Sequence, residues 1–132
     1  MDGYRHRIMD SLLEKKLQAK GAILIEGPKW CGKTTTAEEV AASKILLART
    51  DVKNNFKSLL EIDTDAALSG DTPMLIDEWQ TVPKLWDAVR YTVDHRRKMG
   101  QFILTGSAVP DKEAEEEREH SGTGRFAWLT MR

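Results

Sequence analysis

The sequence predicts an α/β fold in which a mostly parallel sheet of about five strands lies between two layers of helices, a three-layer sandwich. Short apolar runs, such as those at 22–25 and 102–104, alternate along the chain with longer helix-like stretches. Runs that are apolar throughout are typical of parallel strands that are buried on both faces. Because ligands of such sheets bind at the carboxyl ends of the strands, the residues that follow each run are candidate site residues.

The first third of the chain predicts a helix, a strand and a second helix. Tyr4, Ile8 and Leu12 recur at four-residue spacing, and Gly21 is placed to cap the first helix at its C-terminus. The run at 22–25 is the first strand. The stretch 34–43 is rich in Ala and Glu without Pro or Gly, which favours a helix.

The remaining elements continue the alternation. Pro83 is placed to begin one helix of this part, and basic residues end it. A run of charged residues at 111–119 is interpreted as a solvated loop or helix. The predicted strands are 45–47, 74–76, 102–104 and 126–131, and the predicted helices are 55–68 and 84–98.

Length and composition predict one soluble domain spanning residues 1–132. The 132 residues include 20 Lys and Arg against 21 Asp and Glu, so the charge balance indicates neither nucleic acid nor an anionic membrane as a partner. The charged N-terminus leads into no apolar stretch long enough for a signal peptide or a membrane span, which makes the cytoplasm the expected location. A single cysteine, Cys31, excludes an internal disulfide.

A phosphate-binding motif lies between the first strand and the second helix. The residues from Gly27 to Thr34 match the Walker A pattern GxxxxGK followed by Ser or Thr. Its glycines allow backbone N–H groups to turn toward phosphate oxygens, while Lys33 reaches the β- and γ-phosphates and the Thr34 hydroxyl ligates Mg²⁺. The alternative is a chance Gly-rich turn. The expected nucleotide-binding residues are Gly27, Pro28, Lys29, Trp30, Cys31, Gly32, Lys33, Thr34 and Thr35.

An acid pair after the run at 74–76 is the expected partner of this loop, in the place of a Walker B motif. Asp77 can hold Mg²⁺ and Glu78 can orient the water that attacks the γ-phosphate. The alternative is that both acids cap a turn between strand and loop.

Two further polar groups are candidates for contact with the γ-phosphate. Thr105 or Ser107, after the run at 102–104, can sense this phosphate, although either hydroxyl can instead begin a tight turn. Arg125 can neutralise charge on the transferred phosphoryl group, in its own subunit or in a neighbouring one. The alternative for Arg125 is a surface arginine.

With these residues in view, the chain resembles, nearly from end to end, the bacterial and archaeal AAA-type ATPases that have a C-terminal domain of unknown function. The resemblance implies an additional-strand P-loop ATPase fold, with Lys33 and Thr34 at phosphate and Mg²⁺, Asp77 at Mg²⁺, Glu78 as catalytic base and Ser107 as sensor. The matching segments are Tyr4 with Arg7 and Ile8, then 24–34, 75–80, 85–87, 102–107 and 121–126.

Members of that family continue well beyond the position of Arg132, so the resemblance implies an N-terminal fragment of a longer protein. The expected ligands are ATP and Mg²⁺, and the expected activity is ATP hydrolysis, slowed by truncation. The expected macromolecular partner is either another copy of the chain or the missing C-terminal domain. Two alternatives stay open: a nucleotide-dependent binding switch with little hydrolysis, and a small-molecule or nucleotide kinase.

Overall fold

Five parallel strands form the centre of the protein, in the spatial order β2-β3-β4-β1-β5. The computed structural model describes residues 12–27, 33–107 and 126–130. The strands are β1 (Ala22–Gly27), β2 (Ser43–Leu46), β3 (Met74–Asp77), β4 (Phe102–Ser107) and β5 (Phe126–Thr130). The helices are α1 (12–19), α2 (Lys33–Val40), α3 (Thr50–Ile62), α4 (Thr64–Ala67) and α5 (Leu85–Arg96), and a 3-10 helix spans Trp79–Thr81.

Strand β4 lies between β1 and β3 and pairs with both in parallel. Every described strand pairing is parallel, whereas the sequence predicted a sheet that is mostly parallel. The strand that leads into the phosphate-binding motif and the strand that ends at the acid pair are therefore separated by one strand, β4. This is the added strand that the family resemblance implies.

Strands β1, β3 and β4 are buried on both faces of the sheet, as their apolar runs predict. Leu24 and Ile76 pack on one face with residues of α3, α4 and α5. Ile23, Ile25 and Leu75 pack on the other face with α1 and α2. Side chains of one strand alternate between the two faces, and full burial of each Leu or Ile contributes about 1.5–3 kcal/mol before entropic costs. The predicted three-layer arrangement is confirmed.

All five predicted strands are present, but some predicted helix limits are wrong. The helix predicted over 34–43 ends at Val40, because Ser43 already pairs with Met74 in the β2–β3 ladder. The helix predicted over 55–68 is two helices. Between them, Asp63 is extended and its carboxylate accepts a hydrogen bond from the Ala66 N–H at 3.2 Å, so it caps the second helix.

Gly21 has a different role from the predicted helix cap. Among the described glycines only Gly100 has a positive φ, so Gly21 does not supply a left-handed cap. A Cβ atom at Gly21 would instead overlap the Cγ1 atom of Val93 on α5. The glycine is needed because α5 approaches the start of β1 too closely for any side chain.

Candidate functional site

The expected site residues converge because three neighbouring strands end at the same edge of the sheet. Gly27 at the end of β1 is in register with Ser107 at the end of β4. Thr105, two residues earlier on β4, is in register with Asp77 at the end of β3. The start of the phosphate-binding motif and the acid pair thus lie on either side of the end of β4.

The phosphate-binding motif begins at the end of a strand and ends in a helix, as predicted. β1 ends at Gly27, and α2 begins at Lys33, so Lys33, Thr34 and Thr35 form the first turn of this helix. The backbone N–H groups of a first helical turn have no partner within the helix and are well suited to bind anions. The other expected loop residues, Pro28, Lys29, Trp30, Cys31 and Gly32, lie outside the described residues, as does Arg125.

Asp77 is held in the sheet by a short hydrogen bond from β4. Its side chain is only 9% exposed, and the Thr105 hydroxyl donates to its Oδ1 atom at 2.6 Å. Thr105 itself is fully buried. Asp77 and Thr105 are both strand residues. The prediction that Thr105 to Ser107 follow the fourth strand is wrong, because β4 extends to Ser107.

Glu78 directly follows β3 in a backbone conformation that is unusual for a residue with a side chain. Its φ and ψ angles are 58° and 45°, in the left-handed region, which costs on the order of 1–3 kcal/mol. The Glu78 carbonyl accepts hydrogen bonds from the Thr81 N–H at 3.1 Å and the Thr81 hydroxyl at 2.9 Å. These contacts hold the sharp turn after β3.

The Glu78 carboxylate takes no part in capping the 3-10 helix that follows it. It accepts instead a hydrogen bond from the side-chain amide of Gln80, with Nε2 and Oε2 only 2.6 Å apart. Trp79, between these two residues, is 7% exposed and lies 5.3 Å from Trp86, centroid to centroid. Burial of this indole in the core anchors the turn and leaves its two polar neighbours side by side.

Gln80 and Gly106 are the residues at this edge that sequence reasoning missed. Neither belongs to a motif with a known spacing rule, and their proximity depends on the left-handed turn at Glu78. The one available signal was that Gln80 stands two residues after the second acid, within a segment that resembles the AAA-type ATPases.

Comparisons with known proteins identify the family of this chain. A family model described as "AAA domain" matches residues 19–132. The chain belongs to the AAA domain family. This confirms the resemblance to AAA-type P-loop ATPases and supports a nucleotide-binding function of that type.

The AAA domain also has relatives among curated proteins. Uncharacterized proteins of Mycobacterium bovis and Mycobacterium tuberculosis are each 33% identical to it over 100 residues, which is 75% of this chain. The matched part is 22% of the length of either relative. The chain is also similar to a structure of C. elegans PCH-2, with 14% identity and a TM-score of 0.49, covering 96% of this chain and 41% of that one.

The described part of the AAA domain has neither a cluster of metal ligands nor a helix that could span a membrane. Within the residues that the structure describes, no three His, Cys, Asp or Glu side chains gather into a metal-binding group. Over the same residues, no helix has the length and apolar character needed to cross a bilayer.

Proposed function

We propose that this AAA domain binds ATP together with Mg²⁺ and hydrolyses it, with release of the γ-phosphate. The observation that supports this most strongly is the buried hydrogen bond between Thr105 and Asp77, at 2.6 Å. It fixes a carboxylate at the end of β3, one strand away from the end of β1 where the phosphate-binding motif begins. A carboxylate so placed is what a nucleotide-bound Mg²⁺ requires from the protein.

The residues present fit a magnesium ion that is shared with a nucleotide. Mg²⁺ at such sites keeps several waters and takes one or two protein oxygens in addition to phosphate oxygens, so a cluster of three protein ligands is not needed. Asp77 offers a hard carboxylate whose direction is set by a neutral hydroxyl donor. Thr34, in the first turn of α2, is the proposed second oxygen ligand. When bound, the metal ion would neutralise charge on the β- and γ-phosphates.

We assign the following roles to the other expected site residues. Lys33 holds the β- and γ-phosphates, and Ser107, opposite Gly27 in register, contacts the γ-phosphate as a sensor. Glu78, which directly follows Asp77 at the end of β3, is assigned the role of base that polarises the attacking water and accepts its proton. Arg125 supplies positive charge to the transferred phosphoryl group, from the same chain or from a neighbouring copy.

Nucleotide binding is tested with Lys33→Ala and with Lys57→Ala, a control at an exposed position of α3. Loss of the Lys33 ammonium removes a charge-assisted contact with phosphate, so the Kd for Mg-ATP in calorimetry should rise at least tenfold, while the control keeps the parent Kd. Equal affinities in all three proteins would contradict the phosphate-binding assignment.

Hydrolysis is tested with Glu78→Gln, which keeps the size of the side chain but removes its ability to accept a proton. Binding of Mg-ATP should persist, and phosphate release should fall by about 10²-fold or more, the usual contribution of general base catalysis. A parent protein that binds Mg-ATP without any turnover would favour the nucleotide-dependent switch. Turnover that is unchanged by Glu78→Gln would remove Glu78 from the reaction.

A further inference from the structure

The side chain of Gln80 connects the ends of β3 and β4. Its amide nitrogen donates to the Glu78 carboxylate at 2.6 Å, a short distance for a hydrogen bond between an N–H donor and an oxygen. The orientation of the amide follows from this contact, because a flipped amide would place its oxygen against the carboxylate. The Gln80 carbonyl oxygen therefore points away from Glu78.

That oxygen lies over Gly106 of β4. It is buried, and it has no hydrogen-bond partner among the described residues. A Cβ atom on Gly106 would lie 2.5 Å from the Gln80 Oε1 atom and 3.0 Å from the Trp79 Nε1 atom. Gly106 has no positive φ, so its backbone would accept a side chain. The side chains of Gln80 and Trp79 occupy the space that a side chain at Gly106 would need.

Gly106 lies between Thr105 and Ser107, the two residues of β4 that have a role in the proposed site. Thr105 orients Asp77, and Ser107 ends the strand opposite Gly27. Gln80 thus donates to the Glu78 carboxylate while it packs against Gly106 of β4, the strand that separates the acid pair from the phosphate-binding motif. A carboxylate on a single flexible side chain has several rotamers, whereas this contact selects one of them.

We propose that Gln80 is a positioning residue that holds the Glu78 carboxylate in the orientation needed to activate water, and that Gly106 is free of a side chain in order to admit the Gln80 amide. The proposal rests on the proposed function, since it concerns the residue assigned there as the base. Accurate placement of a general base is worth a large part of its catalytic effect, because small displacements of a reacting group slow the reaction strongly.

The first test is Gln80→Met, which has a similar length but no hydrogen-bond donor. The control is Gln18→Met at an exposed position of α1. We expect the Kd for Mg-ATP to stay within about twofold of the parent and kcat to fall about tenfold, the order expected for loss of one hydrogen bond to a charged group. An unchanged kcat would overturn the proposal, as would a loss of kcat that the control shares.

The second test is a double-mutant cycle with Gly106→Ala. The new methyl group displaces the Gln80 amide from Glu78, so this variant should lower kcat to a similar extent with the fold intact, as judged by circular dichroism. In the Gln80→Met background the same change should cost little more, because the contact it disrupts is already absent. Additive losses of kcat would show that the two residues act separately and would overturn the proposed coupling.

The third test needs no nucleotide and no turnover. In the ligand-free parent, the Gln80 side-chain amide resonance should be protected from exchange and should shift in both Glu78→Ala and Gly106→Ala. A Gln80 amide that is unaffected by both changes would overturn the contact itself. A parent that shows the contact but never hydrolyses ATP would contradict the proposed hydrolysis, and the positioning role with it. Because the amide resonance is recorded without nucleotide, failure of the contact and failure of the proposed function are distinguishable.

Discussion

The hydrogen bond from Thr105 to Asp77 can be isolated by Thr105→Val, which replaces the hydroxyl by a methyl group of nearly the same shape. Thr105 is fully buried and donates to a carboxylate that is 9% exposed, so water cannot replace the lost donor at low cost. Hydrogen bonds to charged groups contribute about 1.5–3 kcal/mol, and Thr105→Val should lower the free energy of unfolding by this amount. For a domain of this size that corresponds to a decrease in Tm of roughly 4–12 °C.

The chain contains a matched control for this substitution. Thr92 on α5 is 3% exposed, and its hydroxyl has no hydrogen-bond partner among the described residues. Removing a buried hydroxyl without a partner is neutral or stabilising, so Thr92→Val should leave the free energy of unfolding unchanged or raise it. The difference between the two Thr→Val variants then measures the hydrogen bond itself.

Urea denaturation, monitored by tryptophan fluorescence, gives the free energy of unfolding of both variants, provided that their m-values match that of the parent. The cycle Thr105→Val with Asp77→Asn then tests whether the lost energy belongs to the pair. If Thr105→Val lowered the free energy of unfolding by less than about 0.5 kcal/mol, or no more than Thr92→Val, the buried contact would not stabilise the fold, and its role in orienting Asp77 would lose its physical basis.

Three other substitutions test separate parts of the fold and site. Gly21→Ala places a methyl group against Val93, and should destabilise the protein in urea by about 1–3 kcal/mol, as overpacked cores do; an unaffected midpoint would contradict the close approach. Asp63→Ala removes the cap on the Ala66 N–H, and the same assay should show a loss of about 0.5–2 kcal/mol, whereas Asp63→Asn, which can still cap, should keep most of the stability. Arg125→Ala should abolish any increase of specific ATPase activity with protein concentration if a neighbouring copy supplies the arginine; a specific activity that is independent of concentration and of Arg125 would refute that role.

The strands were predictable because a strand that is buried on both faces consists of consecutive apolar residues. The runs at 22–25, 74–76 and 102–104 are apolar throughout, and each lies within an observed strand. Helix limits were less predictable. The break at Asp63 depends on whether an aspartate continues a helix or caps the next one, and both are locally acceptable.

The end of β4, within the site, was also not predictable from local sequence. Thr105, Gly106 and Ser107 are polar or small and follow an apolar run, so locally they are typical of a turn. They are strand residues because β1 pairs with all three of them and β3 also pairs with Thr105. Those partners lie about 80 and 30 residues earlier in the chain, and no window of sequence around Thr105 contains them.

By itself the sequence determined the class of fold and the order of its strands and helices along the chain, and it predicted a nucleotide as the ligand of the phosphate-binding motif. These follow from local chemistry: apolar runs that must be buried, glycines that permit a tight loop, and a lysine and hydroxyl at the start of a helix. Only the tertiary structure decided that Thr105 meets Asp77, that Gln80 holds Glu78, and that Gly106 leaves room for this contact. Such pairings depend on the spatial order of the strands and on one left-handed backbone turn, which side-chain periodicity does not record.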